Sequence, residues 1–376
     1  MKNIKKNFST SSQNKKLPLS DKLRINSPQN DQVVAVGMSG GIDSTITAYL
    51  LKKQGYKVVG LTMMLKNDKQ KQQEIKKITE KLKIKNYFID LSKDFKKIVL
   101  DYYRQEYLNG RTPNPCIICN QKIKFDLLLK TAKKSGIQFD FFATGHYVRL
   151  AKDPKTRCFF LKKGKDTKKD QSYFLYRLNQ IQLKNLIFPL GNLTKNKVKK
   201  MALQLGFKEL LAKPESQDFF NCADQNNLFD KTKIKTGDII NHHKKIVGKH
   251  NGIINYTIGQ RKGLSGGGTK IPMYVIKINT TKNQIMIGPR KKLLAKKLIA
   301  ISPNWISIKQ PEKKLLAYAK IRFGAKSAKC QIKLIENNQL KVEFKNPQFA
   351  ITPGQSIVFY QKNLLLGGAI ISQILI

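Results

Sequence analysis

The sequence predicts an α/β protein: a doubly wound parallel sheet in an N-terminal domain, then a small central β-rich domain and a C-terminal β-barrel. Three observations carry this expectation. Through Tyr147, short apolar runs alternate with stretches of helical spacing, the rhythm of βαβ units covered on both faces. From Gly237 onward, short β-rich runs alternate with Gly, Pro and Asn turns. The length, 376 residues, suffices for two or three separate cores. The expected divisions are a flexible basic tail over 1–30, a catalytic domain over 31–213, a central domain over 214–295 and the barrel over 296–376.

The elements follow in order. Residues 33–36 (Val-Val-Ala-Val) read as a buried strand, and helical spacing begins after Ser44. A second strand is expected over 57–64, a lysine-heavy helix over 69–82, a third strand over 86–91 and a helix over 95–108. Another strand spans 139–147 and contains Gly145. Residues 152–172 form a polar hairpin or loop. Helices are expected over 173–179 and 195–205, the second capped by Thr194 and stopped by Gly206. Strands follow over 253–258, 273–278 and 284–287. The last block, from about residue 298, supplies strands over 317–323, 330–335, 340–344, 356–360 and 366–371, enough for a small barrel.

Composition narrows the function classes. The formal net charge is +48, from 72 Lys and Arg against 24 Asp and Glu, yet only nine of the 72 are arginine. Lysine spread along the whole chain with scarce arginine fits codon drift as well as attraction to a polyanion, so the charge permits RNA binding without establishing it. No run of 18 apolar residues exists, and the polar N-terminus has no apolar h-region; neither a membrane span nor an export signal is expected. Five cysteines without an export signal point to a reducing, cytoplasmic setting, where a C-x-x-C is more often catalytic or metal-binding than a structural disulfide.

Two segments carry chemistry. In the first, Gly37, Met38, Ser39, Gly40, Gly41, Ile42, Asp43 and Ser44 join the first strand to the first helix. Glycines there let consecutive N–H groups converge on an anion, and the following helix aims its N-terminal dipole at the same spot. No lysine lies between Gly37 and Leu51, which excludes a Walker A loop. The pattern S-G-G-x-D-S resembles the loop of the ATP pyrophosphatases. Ligands of open α/β sheets sit beyond the carboxyl ends of the strands, so the loops after Val36, Leu61 and Thr144 should enclose the ATP site.

The second segment runs from Asn109 to Phe125 and contains Pro113, Asn114, Pro115, Cys116 and Cys119. A helix starting near Asn120, with Arg111, Lys122 and Lys124 close by, is expected to lower the Cys119 thiol's pKa and favour thiolate. A closed zinc site would need about four ligands, and only Cys222 and a few histidines remain to complete one. Cys158 and Cys330 read as structural, and His242, His243 and His250 lie in a lysine-rich turn region without carboxylates, so no metal is assigned to them.

Taken together, the chain resembles the tRNA-specific 2-thiouridylases from about residue 33 to 376. Matching segments include 37–44, 110–125, 143–147, 169–175, 189–191, 213–218, 255–264 and 352–355. The resemblance implies adenylation of the C2 oxygen of the wobble uridine by ATP with Mg2+, then its replacement by persulfide sulfur. It implies that ATP is held by Gly37 to Ser44, Met63 and Gly145, and that Cys119 is the nucleophile. Asn114, Pro115 and Cys116 would lie at the target base, while His146, Lys169, Asp170, Gln171, Arg322 and Gln355 match positions that touch tRNA. The implied partners are tRNA and a persulfide-donating sulfur carrier or cysteine desulfurase.

Two departures stand out. Many members of the family carry aspartate where this chain has Cys116; the C-x-x-C with a second-site cysteine resembles a three-cysteine type that holds a [4Fe-4S] cluster at Cys116, Cys119 and Cys222. The persulfide cysteine normally falls where this chain has Phe220, and the nearest thiol is Cys222. Positions two apart in an extended segment lie roughly 6.6 Å apart, a shift that a loop absorbs and a rigid strand does not. The expectation is that Cys222 has taken over the role, against the alternative that Cys116 and Cys119 work alone. Rival functions are another ATP pyrophosphatase, such as an amidating or lysidine-forming synthetase, and a degenerate RNA-binding homologue without catalysis.

Overall fold

The computed structural model describes residues 31–213, 228–229, 234–264 and 271–375. Cys222, Phe220, most of the 213–218 motif and the basic tail lie outside the described residues.

The N-terminal sheet is formed by β1 (Val33–Gly37), β2 (Lys57–Met64), β3 (Lys85–Asp90), β4 (Phe141–Ala143) and β7 (Leu186–Ile187), all parallel and ordered β3-β2-β1-β4-β7. β1 is central and its Val34, Ala35 and Val36 are fully buried. Side chains alternate across a strand, so Val34 and Val36 face one core with Ile46, Leu51 and Val198, while Ala35 faces another with Leu61, Ile123 and Leu128. Both faces of β1 are covered, which is why its sequence reads as an unbroken apolar run.

Helices α1 (Ile42–Lys53) and α2 (Lys69–Lys81) occupy the first two crossovers, with Asp68 capping α2 by accepting from Lys71 N at 2.9 Å. The expected helix over 95–108 is longer and mixed: α3 (Ser92–Phe95) passes through a π-helical turn (Lys96–Leu100) into α4 (Asp101–Leu108). A second mixed helix runs α5 (Pro115–Ile118), a π segment (Cys119–Leu127) and α6 (Leu128–Lys134). The expected strand over 139–147 contracts to β4, because Thr144 to Tyr147 turn away to line the site described below.

The polar segment after Tyr147 forms a hairpin of β5 (Val148–Lys152) and β6 (Phe159–Lys163) that leaves the parallel sheet and pairs with the C-terminal domain, Lys162 opposite Leu364. The helix expected over 173–179 is instead a 3-10 turn (Ser172–Leu175). Its tyrosines are drawn to the barrel: Tyr173 donates its hydroxyl to Ser356 O at 2.8 Å, and the Tyr176 hydroxyl lies 3.0 Å from Ser356 Oγ. A short α7 (Gln180–Lys184) precedes β7, and α8 (Lys195–Gln204) begins as expected, Thr194 accepting from Lys197 N and Gly206 ending it at φ +73°.

The central unit is a four-stranded sheet, β10 (Met273–Asn279), β11 (Gln284–Pro289), β8 (Gly237–Asn241) and β9 (Ile246–His250), in that order. The strand expected over 253–258 is not one: residues Ile253–Asn255 make a 3-10 turn, and Asn255 bonds back to Asn251 O at 2.7 Å, a local bond that competes with a ladder. The C-terminal unit closes six antiparallel strands: β12 (Leu294–Trp305), β15 (Gln339–Phe349), β14 (Ala328–Ile335), β13 (Leu315–Lys320), β16 (Ser356–Gln361) and β17 (Leu364–Leu375), with β17 returning to β12. Among the described residues no helix is long and apolar enough to cross a membrane.

Candidate active site

The glycine loop sits where the strand order reverses, between the carboxyl ends of β1 and β4. Met38 extends the ladder by one bond, donating its N–H to Leu61 O at 2.9 Å; the chain then swings through Gly40 at φ +80°. A side chain there would be strained by that φ and would lie 3.1 Å from Ile75. Gly41 caps α1 with no side-chain cap bond. Ser44 folds back instead, donating to Gly41 O at 2.9 Å and accepting from Ser39 N at 3.3 Å. No side chain caps the N–H groups of the first turn, a condition for binding an anion there.

Asp43 is held from two distant elements. Lys195, at the start of α8 and almost wholly buried, donates to both carboxylate oxygens at 2.7 and 2.8 Å, and the Tyr147 hydroxyl donates to Oδ1 at 2.8 Å. Gly145 closes the arrangement. A Cβ at that position would stand 2.9 Å from the Asp43 carbonyl carbon, so only glycine lets the two loops touch. Gly37, Met38, Ser39, Asp43, Ser44, Met63 and Gly145 all line one cavity of about 560 Å³. Leu61, Phe95, Leu100 and Leu128 give it an apolar floor, and Lys66, Asp68, Lys71 and Lys124 a charged rim. A cavity of this size, apolar with a few convergent polar groups, suits a nucleotide.

His146 lines the same cavity, its Nδ1 2.7 Å from Thr144 Oγ1 and its ring packed among Phe125 and Phe188. Burial, reinforced by the Lys124 charge, holds its pKa well below the usual histidine value, so the ring is neutral at physiological pH. Gln171 lines the cavity too and grips Tyr147, accepting from its N–H at 3.0 Å. Asp170 is buried and turned inward, its Oδ1 accepting from Gly164 N and Ser172 N. Lys169 is half-buried beside it.

The thiol helix corrects one expectation. The helix begins at Pro115, not near Asn120, with Asn114 at its N-cap; Cys116 falls in the first turn and Cys119 a full turn inside. Cys119 is wholly buried in the core with Ile117, Ile123 and Leu128. Burial outweighs the pull of Lys124 and pushes the Cys119 thiol up to about 12, the reverse of the activation that nearby lysines and a helix start suggested. Cys116 is the more exposed of the two, and no disulfide links them; exposed Cys158 and buried Cys330 are likewise outside any disulfide. No group of three or more metal-ligating side chains exists among the described residues.

The segment ahead of this helix is clasped by the other two domains. Thr112 N donates to Pro353 O at 2.9 Å, and Gln355 Nε2 donates to Thr112 O at 2.8 Å and Pro113 O at 3.3 Å. Thr112 Oγ1 meets Thr257 Oγ1 of the central domain at 3.2 Å. Gln355 thus braces the loop that carries Asn114, Pro115 and Cys116. Arg322 donates Nη1 to Phe349 O and Ala350 O near the barrel's end. Of the residues that matter here, Lys195 and Tyr147 went unmarked in the sequence; neither lies near Asp43 along the chain, and no local pattern announces the pairing.

Comparison with known proteins bears on this architecture. The model of the tRNA methyl transferase HUP domain matches residues 32–222, that of the PRC-barrel domain residues 225–289, and that of the aminomethyltransferase beta-barrel domain residues 295–371. The tRNA-specific 2-thiouridylase MnmA of Endomicrobium trichonymphae is 44% identical over 361 residues, covering 91% of this chain and 99% of that protein. The chain belongs to the tRNA-specific 2-thiouridylase family. Another member, the tRNA-specific 2-thiouridylase MnmA 2 of Thermoanaerobacter sp. (strain X514), is 45% identical over 359 residues, covering 90% of this chain and 98% of that protein. A third, from Clostridium botulinum (strain Hall), is 42% identical and covers 91% of this chain. The cradle belongs to an ATP-utilising family.

Proposed function

We propose that this protein catalyses the ATP-dependent 2-thiolation of the wobble uridine of tRNA. The observation that carries the reading is the uncapped start of α1 opening, with Gly145 and His146, into the same cavity whose rim holds Lys124 of the thiol helix. In this reading Gly37 to Ser44, Met63 and Gly145 bind ATP. Of the cavity's two carboxylates, Asp43 is already paired with Lys195 and Tyr147, so Asp68 is the one that would help hold Mg2+, which typically takes one or two carboxylates plus phosphate oxygens and would neutralise the departing pyrophosphate. Asn114, Pro115 and Cys116 face the target base, and His146, Lys169, Asp170, Gln171, Arg322 and Gln355 mark the tRNA side, the buried ones by shaping the surface rather than touching it.

The chemistry proceeds in three displacements. The uridine C2 oxygen attacks the α-phosphorus and pyrophosphate leaves. The terminal sulfur of a cysteine persulfide then forms a C–S bond at C2, and the C–O bond breaks with its electron pair leaving on AMP. A second thiolate attacks the S–S bond, freeing 2-thiouridine and leaving a disulfide that an external dithiol reduces. Cys119 with either Cys116 or Cys222 supplies the two thiols. Reaching the base requires taking it out of the anticodon stack. The described residues offer two of the three cysteines that an iron–sulfur cluster would need, and no step is routed through one. The sulfur carrier or desulfurase that loads the persulfide, and a cytoplasmic setting, belong to the same proposal.

The test is direct. Purified protein is incubated with unmodified tRNA, ATP and a persulfide donor, and nucleosides are resolved by mass spectrometry. 2-Thiouridine that requires ATP supports the reading. A methylated nucleoside, or RNA binding without AMP release, would count against it.

A further inference from the structure

We propose that Lys124 is the catalytic cation joining the two half-reactions: its ammonium faces the nucleotide cavity from the thiol helix and stabilises the negative charge that passes from sulfur to the departing AMP. This rests on the thiolation reading above.

The helix geometry is what puts Lys124 there. Cys119 and Lys124 are five residues apart, and in an α-helix such residues end about 140° apart around the axis. The segment Cys119–Leu127 is π-helical, with bonds from i to i+5, so Lys124 stands one turn above Cys119 on the same side. π-helical turns are rare and frequently mark functional sites. Here its consequence is specific: the Lys124 charge acts on both Cys119 and His146, residues on separate elements. Lys124 also lines the nucleotide cavity together with Ser39, Asp43 and Gly145.

Its surroundings leave the charge available. Lys195, the lysine seated against the cradle's own carboxylate, is committed to Asp43 by a bidentate pair. Among the described residues no carboxylate lies within ion-pair distance of Lys124. A half-buried, unneutralised ammonium on the wall of an anion cavity is costly unless an anion comes to it. During sulfur transfer the persulfide anion approaches C2 while the C–O bond pair moves onto the AMP phosphate, so negative charge travels across the span between Cys119 and the cradle. Lys124 sits along that span, in a partly dry site where a fixed charge acts more strongly than in water.

The experiment compares Lys124→Met and Lys124→Arg with the wild-type full chain, using transcribed tRNA, ATP and glutathione persulfide as sulfur donor. Lys124→Met should lower kcat for 2-thiouridine formation by about 10²-fold, with the loss in kcat exceeding any rise in KM for ATP. Lys124→Arg should recover much of it, and both variants should melt close to wild type. Wild-type kcat in Lys124→Met overturns the assignment, as does an equal loss in both variants accompanied by a lowered Tm, which marks a packing role. A wild-type protein that forms no 2-thiouridine overturns the functional reading itself, and this assignment with it.

Discussion

The nucleotide cradle and the thiol helix face the same cavity but are prepared differently. The cradle is finished: Gly40 and Gly145 permit its close contacts, Ser44 ties the loop to the helix, and Asp43 is locked by Lys195 and Tyr147. The thiol helix is closed. Cys119 is sealed in apolar core with its proton held tightly, and the segment before it is clamped by the barrel and by Thr257 of the central domain. One half of the site is preorganised, whereas the other keeps the Cys119 thiol out of reach of solvent. In the proposed reading the wobble base reaches Asn114 to Cys116, which makes binding of tRNA at the clamped segment the trigger.

The largest effect that sharpens this contrast is removal of the buried thiol. Cys119→Ala should cut 2-thiouridine formation by about 10³-fold or more, as loss of a nucleophile does, while leaving ATP binding by the cradle intact in a filter or calorimetric assay. If ATP binding fell in parallel, the two halves would not be separately built. The next effect strikes the cradle. Gly145→Ala drives a methyl into the Asp43 backbone and should cost about 1–3 kcal/mol through overpacking. Borne by the ATP complex, that would raise KM for ATP roughly tenfold, with little change in how Cys119 responds to alkylation.

A pH experiment reads the thiol side alone. An ordinary thiol titrates near 9, and burial pushes Cys119 up to about 12. Its contribution to stability is complete below about pH 9. As pH rises from there toward 12 the unfolded chain ionises and the folded one does not, so stability drains away by up to about 1.4 kcal/mol per pH unit. Cys330 is buried and raised likewise, so the informative quantity is the difference in Tm against pH between wild type and Cys119→Ala. The wild type should lose more. In the native protein near neutral pH, iodoacetamide should label exposed Cys158 before Cys116 and leave Cys119 for last.

The cradle was legible because its information is local. The eight residues from Gly37 to Ser44 set the turn, and β1 announces itself as a buried strand by four apolar residues in a row. Five of the six barrel strands, β13 to β17, were legible for the same reason, each being set by its own apolar pattern, whereas β12 was not read as a strand. What escaped the sequence was determined by distant partners. Lys195 meets Asp43 across 152 positions, and Gln355 reaches Thr112 across 243. The state of Cys119 depended on burial against electrostatics; the nearby lysines were visible in the sequence, but the desolvation that outweighs them was not. The π register was also hidden, since its composition is that of an ordinary helix. Residues 253–258 and 173–179 failed in a related way, apolar runs whose ends were claimed by Asn251 and Ser356.

The smallest predicted effect tests whether the clamp matters to chemistry. Gln355→Leu removes two donated bonds to the backbone of Thr112 and Pro113. The measured cost in stability should be only about 0.5–1.5 kcal/mol per bond, because the barrel keeps its closed sheet and Thr112 N still holds Pro353 O. If the clamp keeps Cys119 shut, the variant should label with iodoacetamide faster at Cys119 than wild type while Cys330, in the barrel core, labels at the wild-type rate. Equal rates at Cys119 would mean that the core around Ile117, Ile123 and Leu128 protects the thiol by itself. The braced loop would then serve only to present Asn114 and Cys116 at the surface.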